Sequence, residues 1–394
     1  MEPKRQRLNR RGLLGAAGGA AALGAVGAGA AALGRGSDET EPAAAPATTV
    51  PFHGAHQAGI TDDAPSQAVL LALDVNDDVD ADRLAAVMRL LSDDAARLTQ
   101  GEAALADADP ELAAEPALLT VTFGFGLDLL DRLGLSVPAG AGPLPAFSVD
   151  RLEDAWSGGD LLIQVCGEGD LALSHAIRML VKDSRSFAGV RWAQRGFRQR
   201  PAGGGTPRNV LGQIDGTSNP DPGSADGGEA IWFGPEAGAL AGGTVMAVRR
   251  MRTGLDRWDR LDAVGKDRVI GRRIADGAPL TGEAEDDPVD LDAREDSGLP
   301  VIPTNAHVRR AIEAGETILR RSYNYDDGPG PDGESDTGLV FIAYQADIGQ
   351  FIAIQEHLAE ADLLNDYAVP IGSAVFVLPP GCEEGGWIGQ GLFA

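Results

Sequence analysis

Cysteine is nearly absent: the 394 residues contain two, Cys166 and Cys382. That excludes a disulfide framework, and also a zinc cage or iron–sulfur cluster built on the thiolates of one chain. Basic residues are scarce beside acidic ones, 33 against 59, giving a formal net charge of −26. Such a chain is repelled at long range by nucleic-acid phosphate and by anionic membrane surfaces, so neutral, cationic or small partners fit better. Histidine is sparse too, with His53, His56, His175, His307 and His357 only. What is present is an ordinary 43% hydrophobic share on a chain long enough for two domains or one double domain.

The N-terminus is basic at Lys4, Arg5 and Arg7, continues Asn9-Arg10-Arg11-Gly12-Leu13-Leu14, and then runs in Ala and Gly to about Gly34. Residues 1–34 read as a twin-arginine export signal, which predicts a secreted or extracytoplasmic protein. The run is roughly long enough to cross a bilayer, but Ala and Gly make it weakly apolar. Once it is removed, no membrane association is expected. This route carries folded proteins, often around a cofactor, so a cofactor is expected. Residues 35–66, including Glu41-Pro42-Ala43-Ala44-Ala45-Pro46, have the composition of a disordered linker. His53 and His56 near its end lack a third ligand at a helical spacing, which favours a solvated or docked segment over a metal site.

Beyond the linker, apolar periodicity predicts strands over 67–75, 118–125, 161–166 and 187–194, with helices over 80–99, 127–133 and 171–181. The first long helix carries Leu84, Val87, Met88, Leu91, Ala95 and Leu98 on one face. A second round gives strands over 244–251, 338–344 and 373–378 and helices over 255–270 and 350–361. The simplest packing is an α+β fold of two ferredoxin-like halves, 67–241 and 242–394, their antiparallel sheets together and helices outside, in the manner of a dimeric α/β barrel. The irregular stretch 197–241 is too long for an idle connection and is expected to be functional.

Within it, Gly212-Gln213-Ile214-Asp215-Gly216 sets one carboxylate between two glycines, a loop able to aim Asp215 into a cavity or to close an Asx-type turn on itself. A second cluster is Thr304-Asn305-Ala306-His307-Val308-Arg309-Arg310, followed by Ile318-Leu319-Arg320-Arg321. A lone histidine is more often structural than ligating. His175 and His357 fall in amphipathic helix patterns, whereas His307 is followed by arginines suited to holding carboxylates.

The glycine-x-x-aspartate-glycine loop resembles the signature of the dye-decolourising haem peroxidases. Leu119–Gly126, Gly159–Cys166, Arg191–Phe197 and Gly338–Gln345 resemble the same family, in family order, across nearly all of 65–394. The arginine-signalled form resembles its exported bacterial subgroup, related to the iron-uptake-associated deferrochelatases. The resemblance implies haem b (iron protoporphyrin IX) as cofactor, with His307 as proximal iron ligand, Asp215 as distal acid–base residue and Arg320 as distal arginine, Arg321 being the fallback. It further implies that Gly212, Gln213, Ile214 and Gly216 line the haem, that Arg309 holds a propionate, and that Asp347 accepts the second imidazole proton of His307.

The implied activity is a peroxidase that reduces hydrogen peroxide and oxidises dyes, phenols or other small one-electron donors through a ferryl intermediate. Nucleic acid is not an expected partner, and a homo-oligomer is compatible with the resemblance. Donors too bulky to reach a buried iron would pass electrons through aromatic residues, with Tyr323, Tyr325, Tyr344, Trp192, Trp258 and Trp387 as candidates. Two alternatives stay open at this point. One is an iron-releasing protein of the same fold. The other is a secreted hydrolase or calcium-binding protein using Asp215 and neighbours such as Asp221.

Overall fold

The computed structural model describes residues 49–330 and 333–393. The expected export segment and the first part of the expected linker lie outside them. The compact unit spans Ala47–Ala394.

Its first round is β1 (Gln67–Val75), α1 (Ala81–Thr99), β2 (Thr120–Gly126), α2 (Leu127–Arg132), β3 (Leu161–Gly167), α3 (Asp170–Ser184) and β4 (Ala188–Phe197). After α4 (Ala225–Ile231), the second runs β5 (Thr244–Thr253), α5 (Leu255–Trp258), α6 (Ala263–Ile270), α7 (His307–Glu313), β6 (Leu319–Arg320), β7 (Tyr323–Pro329), β8 (Ser335–Gln345), α8 (Ile348–Ala361) and β9 (Ala368–Leu378). Strand neighbours follow β2-β3-β1-β4 in the first half and β9-β5-β8-β7 in the second, all antiparallel, which is the ferredoxin-like order twice over.

The halves meet edge to edge as well as face to face. Phe125 and Gly126 of β2 pair with Val377 and Phe376 of β9, while Phe197 of β4 pairs with Asn324 of β7. With β5 also paired to β8, the strands close into a ring. Closure explains why the strands read as continuous apolar runs: both faces are covered. Along β1, Val69, Leu71 and Leu73 join the outer core beneath the helices, with Leu84, Met88 and Leu91 of α1 and Leu173 and Met179 of α3. The alternate residues Ala68, Leu70 and Ala72 face the ring's interior with Met246, Tyr323, Tyr325, Tyr344 and Phe376.

Two sequence expectations change. The helix expected over 255–270 is two helices, because the Asp262 carboxylate accepts the Gly265 N–H and starts α6 afresh. The expected linker is docked from residue 49 onward: Phe52 and Ile60 are buried, and the Gln57 side chain donates to the carbonyls of Phe123 and Pro379. His56 stacks on Trp232 at 3.7 Å and bonds the Gly242 carbonyl at 2.7 Å. The two cysteines are both free, Cys166 inside the ring and Cys382 beside His53. Among the described residues, no helix is long and apolar enough to cross a membrane.

Candidate active site

The signature loop is a small hairpin organised by one side chain. Asn209 Oδ1 accepts the N–H groups of Leu211 (3.1 Å) and Gln213 (3.2 Å), its backbone exchanges bonds with Gln213 and Gly212, and Asp215 N–H reaches back to Pro207 O at 2.9 Å. Gly212 sits at φ 85° and Gly216 at φ 129°, backbone regions that a side chain strains, so these two positions require glycine. Beneath the loop, Trp258 is buried and donates from Nε1 to Leu211 O at 2.9 Å, and Leu211, Trp258, Val269 and Ile270 form a satellite core. The result is a rigid base from which Asp215 projects. Ile214 sits against Gly277, and the buried Gln213 amide nitrogen has no protein partner among the described residues.

Asp215 Oδ1 accepts from Arg320 Nη1 at 3.2 Å, and Oδ2 from Asn209 Nδ2 at 3.3 Å. Residues 105 positions apart meet because Asn219, four residues after Asp215, exchanges two hydrogen bonds with the backbone of Arg320, at 2.7 and 3.0 Å. Strand alternation separates the two neighbouring arginines. Leu319 and Arg321 point into the ring, where Arg321 is buried against the Asp62 carbonyl, while Arg320 points the opposite way, to Asp215.

His307 is the first residue of α7. Its Nδ1 lies 2.6 Å from Asp362 Oδ2, and since a carboxylate only accepts, Nδ1 carries the proton. Asp362 is buried, and its other oxygen accepts the Leu364 N–H at 2.8 Å, so the imidazole is held in one orientation. The bond from Leu363 N–H to Asn305 O further ties this turn to the residues before His307. Burial lowers the proton affinity of the ring, but the Asp362 carboxylate raises it by charge and by hydrogen bond, and the balance lies above the ordinary histidine value. Arg320 and Asp215 are near enough to act on the same ring, in opposite senses. Nε2 has no protein partner among the described residues.

One expectation is corrected here. Asp347 does not serve His307: it caps α8, accepting from Gly349 N–H in a capping box with Gln350, and Asp362 takes the expected role. Arg309, expected to hold a propionate, has protein partners on all three guanidinium nitrogens. Its guanidinium is spent on the carbonyls of Ile302 and Leu291 and on Glu313. Arg310 is likewise occupied, gripping His357 O and Glu360 on α8, and so docks the histidine's helix.

Sequence reading missed Asp362, Asn209 and Asn219. Asp362 lies 55 residues from His307 in an unremarkable helix end, and nothing in the linear pattern marks it. The two asparagines flank the signature loop and could have been found as short polar residues able to bond backbone.

Cleaving a peroxide at a haem asks two things of a protein: a neutral imidazole nitrogen free to bind iron, and a proton-transferring group with a cation beside it. His307 Nε2 answers the first and the Asp215–Arg320 pair the second, so the donor set fits haem. The alternative reading of Asp215 as part of a carboxylate pair or calcium site does not fit. Among the described residues no cluster of His, Cys, Asp and Glu could hold a metal ion, and Asp221 closes a local turn on Gly223. Fold and site together thus define a haem peroxidase on a doubled ferredoxin-like scaffold.

Comparison with known proteins narrows this class. Residues 57–198 match the family description "Dyp-type peroxidase, N-terminal", and 206–383 match "Dyp-type peroxidase, C-terminal". The chain is 38% identical to a dye-decolorizing peroxidase of Thermobifida fusca, covering 99% of this chain and 98% of that one. It is 34% identical to a deferrochelatase of Escherichia coli, covering 85% and 84%. Its fold superposes on a crystal structure of a DyP-type peroxidase from Cellulomonas bogoriensis with TM-score 0.85 and 46% identity, over 88% of this chain and 98% of that one. The ferric DtpA of Streptomyces lividans gives 0.84 and 38%, over 88% and 97%. The chain belongs to the Dyp-type peroxidase family and is a haem-dependent peroxidase that takes hydrogen peroxide and electron donors.

Proposed function

We propose that His307 holds the haem iron through Nε2, that Asp215 is the acid–base group for peroxide, and that Arg320 rather than Arg321 assists it. The observation that carries this reading is the 3.2 Å contact between Arg320 and Asp215, within electrostatic reach of a histidine whose outer nitrogen is free. Haem held there would supply the two electrons needed to cleave the oxygen–oxygen bond, to be replaced by one-electron donors. Asp215 as carboxylate takes a proton from one peroxide oxygen and delivers it to the other, which departs as water. Arg320, permanently protonated, stabilises negative charge building on the departing oxygen. Asn209 and Arg320 hold the Asp215 carboxylate aimed while it does so. At His307, the bond from Nδ1–H to Asp362 makes the ring a stronger electron donor, as second partners of ligating histidines do.

Stopped-flow mixing of the ferric enzyme with peroxide tests the assignment. Asp215→Asn should slow the first spectral change by about 10²–10⁴, Arg320→Leu should slow it clearly, and Arg321→Leu should leave it near the parent rate. A parent-like rate in Asp215→Asn removes it from proton transfer.

The donors are proposed to be dyes, phenols and similar one-electron reductants, by likeness to the Thermobifida fusca relative. The likeness to deferrochelatases favours a second reading, iron release from haem, and recovery of intact porphyrin with free iron from haem-fed protein would support it. We further propose export through the twin-arginine route, read from Arg10-Arg11 and the Ala/Gly run after them. Arg10→Lys with Arg11→Lys should leave the protein in the cytoplasm.

A further inference from the structure

Beside Asp215 lies a cavity of about 20 Å³ lined by Arg198, Arg208, Asp215, Arg320, Ser322 and Asn324, among others. Its charge balance is unlike that of the rest of the molecule. Three arginines line it with one carboxylate residue, in a chain whose formal net charge is −26. Two of the three arginines are committed. Arg208 forks onto the carbonyls of Gly212, Ile274 and Ala275, and Arg320 is bound to Asp215.

Arg198 is not committed. Just beyond the end of β4, its backbone N–H bonds Ser66 O, but its guanidinium makes no hydrogen bond or ion pair among the described residues and lies 5.6 Å from the centre of the Tyr323 ring. The cations Arg321 and Arg200 act on it with the same sign, and Asp215, already shared by Arg320 and Asn209, is the carboxylate that opposes them. A mostly buried guanidinium with its five donors unspent is costly unless something negative or strongly accepting joins it.

We propose that this cavity is a binding site for one monovalent anion of halide size, held by Arg198 over the Asp215–Arg320 pair. Size and charge set the class together. A cavity of about 20 Å³ takes one water-sized occupant, which suits a halide better than a tetrahedral dianion such as sulfate. The excess of positive charge concentrates small anions there against the repulsion of the whole protein. An anion in this place stands in the way of peroxide approaching Asp215, so halide and peroxide compete. The anion position rests on the geometry around Arg198, whereas its competition with peroxide rests on the duty proposed for Asp215, so the bromide map tests the first independently of the second.

Crystals of the haem-loaded enzyme soaked in sodium bromide test it directly. The expected result is an anomalous bromide peak within hydrogen-bond distance of the Arg198 guanidinium, lost in Arg198→Leu. In solution at constant ionic strength, replacing sulfate with bromide should lower kcat/KM for peroxide several-fold in the parent and leave Arg198→Leu unaffected, without moving the Soret band. Water alone in the cavity, or a bromide peak that persists in Arg198→Leu, overturns the proposal. So does a bromide-dependent Soret shift equal in both proteins, since it would place the anion on the iron. Should Arg198→Leu not fold, the bromide map of the parent enzyme decides the matter alone.

Discussion

Each half of the molecule contains a histidine–aspartate pair, and the two pairs are nearly the same length. In the first half, His175 Nε2 lies 2.7 Å from Asp107; in the second, His307 Nδ1 lies 2.6 Å from Asp362. What differs is the other nitrogen. His175 Nδ1 accepts from Arg178 at 3.1 Å, and both side chains of that pair are sealed, at 1% and 0% exposure. His307 stands at the start of α7 with Nε2 unspent and 32% of its side chain exposed. A carboxylate partner therefore does not make a histidine a ligand. What the proposed ligand adds to its carboxylate partner is a second nitrogen left without a protein partner among the described residues.

The scaffolds teach the same lesson. Both halves follow one strand order, but the first connects its strands economically, while the second inserts 198–243 before β5 and 254–322 between β5 and β7. The proposed site residues Asp215, His307 and Arg320 all come from those insertions or their ends, so the chemistry sits on what was added to the fold.

The sharpest way to break the comparison is to remove each histidine in turn. His307→Ala should abolish stable haem binding, seen as loss of the Soret band at equal protein concentration; an unchanged band would make the two pairs equivalent. Asp362→Asn should keep some haem but weaken it by about 10–100-fold and raise the ferric/ferrous midpoint potential, because the ring loses its anionic partner. His175→Ala should leave haem stoichiometry at the parent level and cost about 1–3 kcal/mol in urea unfolding, the price of stranding the buried Asp107 carboxylate.

The smallest effect concerns the packing of α1 on α3. There, burial first, then the neighbouring Asp94, push the Asp183 carboxyl up to about 7, against an opposing pull from Lys182. The folded state thus binds a proton that the unfolded state releases near pH 4, so stability falls as pH rises from about 4 to about 7. Asp183→Asn should flatten that fall by about 1–2 kcal/mol, discounted for the partial exposure of the group. Parallel pH profiles of Tm in parent and variant would refute the raised Asp183 carboxyl.

Much of the scaffold was legible because periodicity reports burial directly. The strand expected over 67–75 is β1, and the helix expected from Asp80 starts there because the Asp80 carboxylate caps it. The strand β7 was missed, since Asp326, Asp327 and Gly328 break its apolar pattern although its first three residues are buried. The helix α7 was missed because seven residues are too few to show a period. In the site, the glycines around Asp215 marked the loop in the sequence. The partner of His307 did not show, because a helix-end aspartate such as Asp347 and one at a turn such as Asp362 look alike until the chain is folded.

The sequence by itself determined the βαββαβ pattern of the first half, the acidic composition, the signature loop and the family resemblance, because these depend on composition and local spacing. The tertiary structure alone decided which of two adjacent arginines meets Asp215, which aspartate holds His307, and which of the two aspartate-paired histidines keeps its other nitrogen free. Those outcomes depend on strand alternation and on contacts between residues 55 to 105 positions apart, and no local pattern encodes where a side chain points once the strands close into a ring.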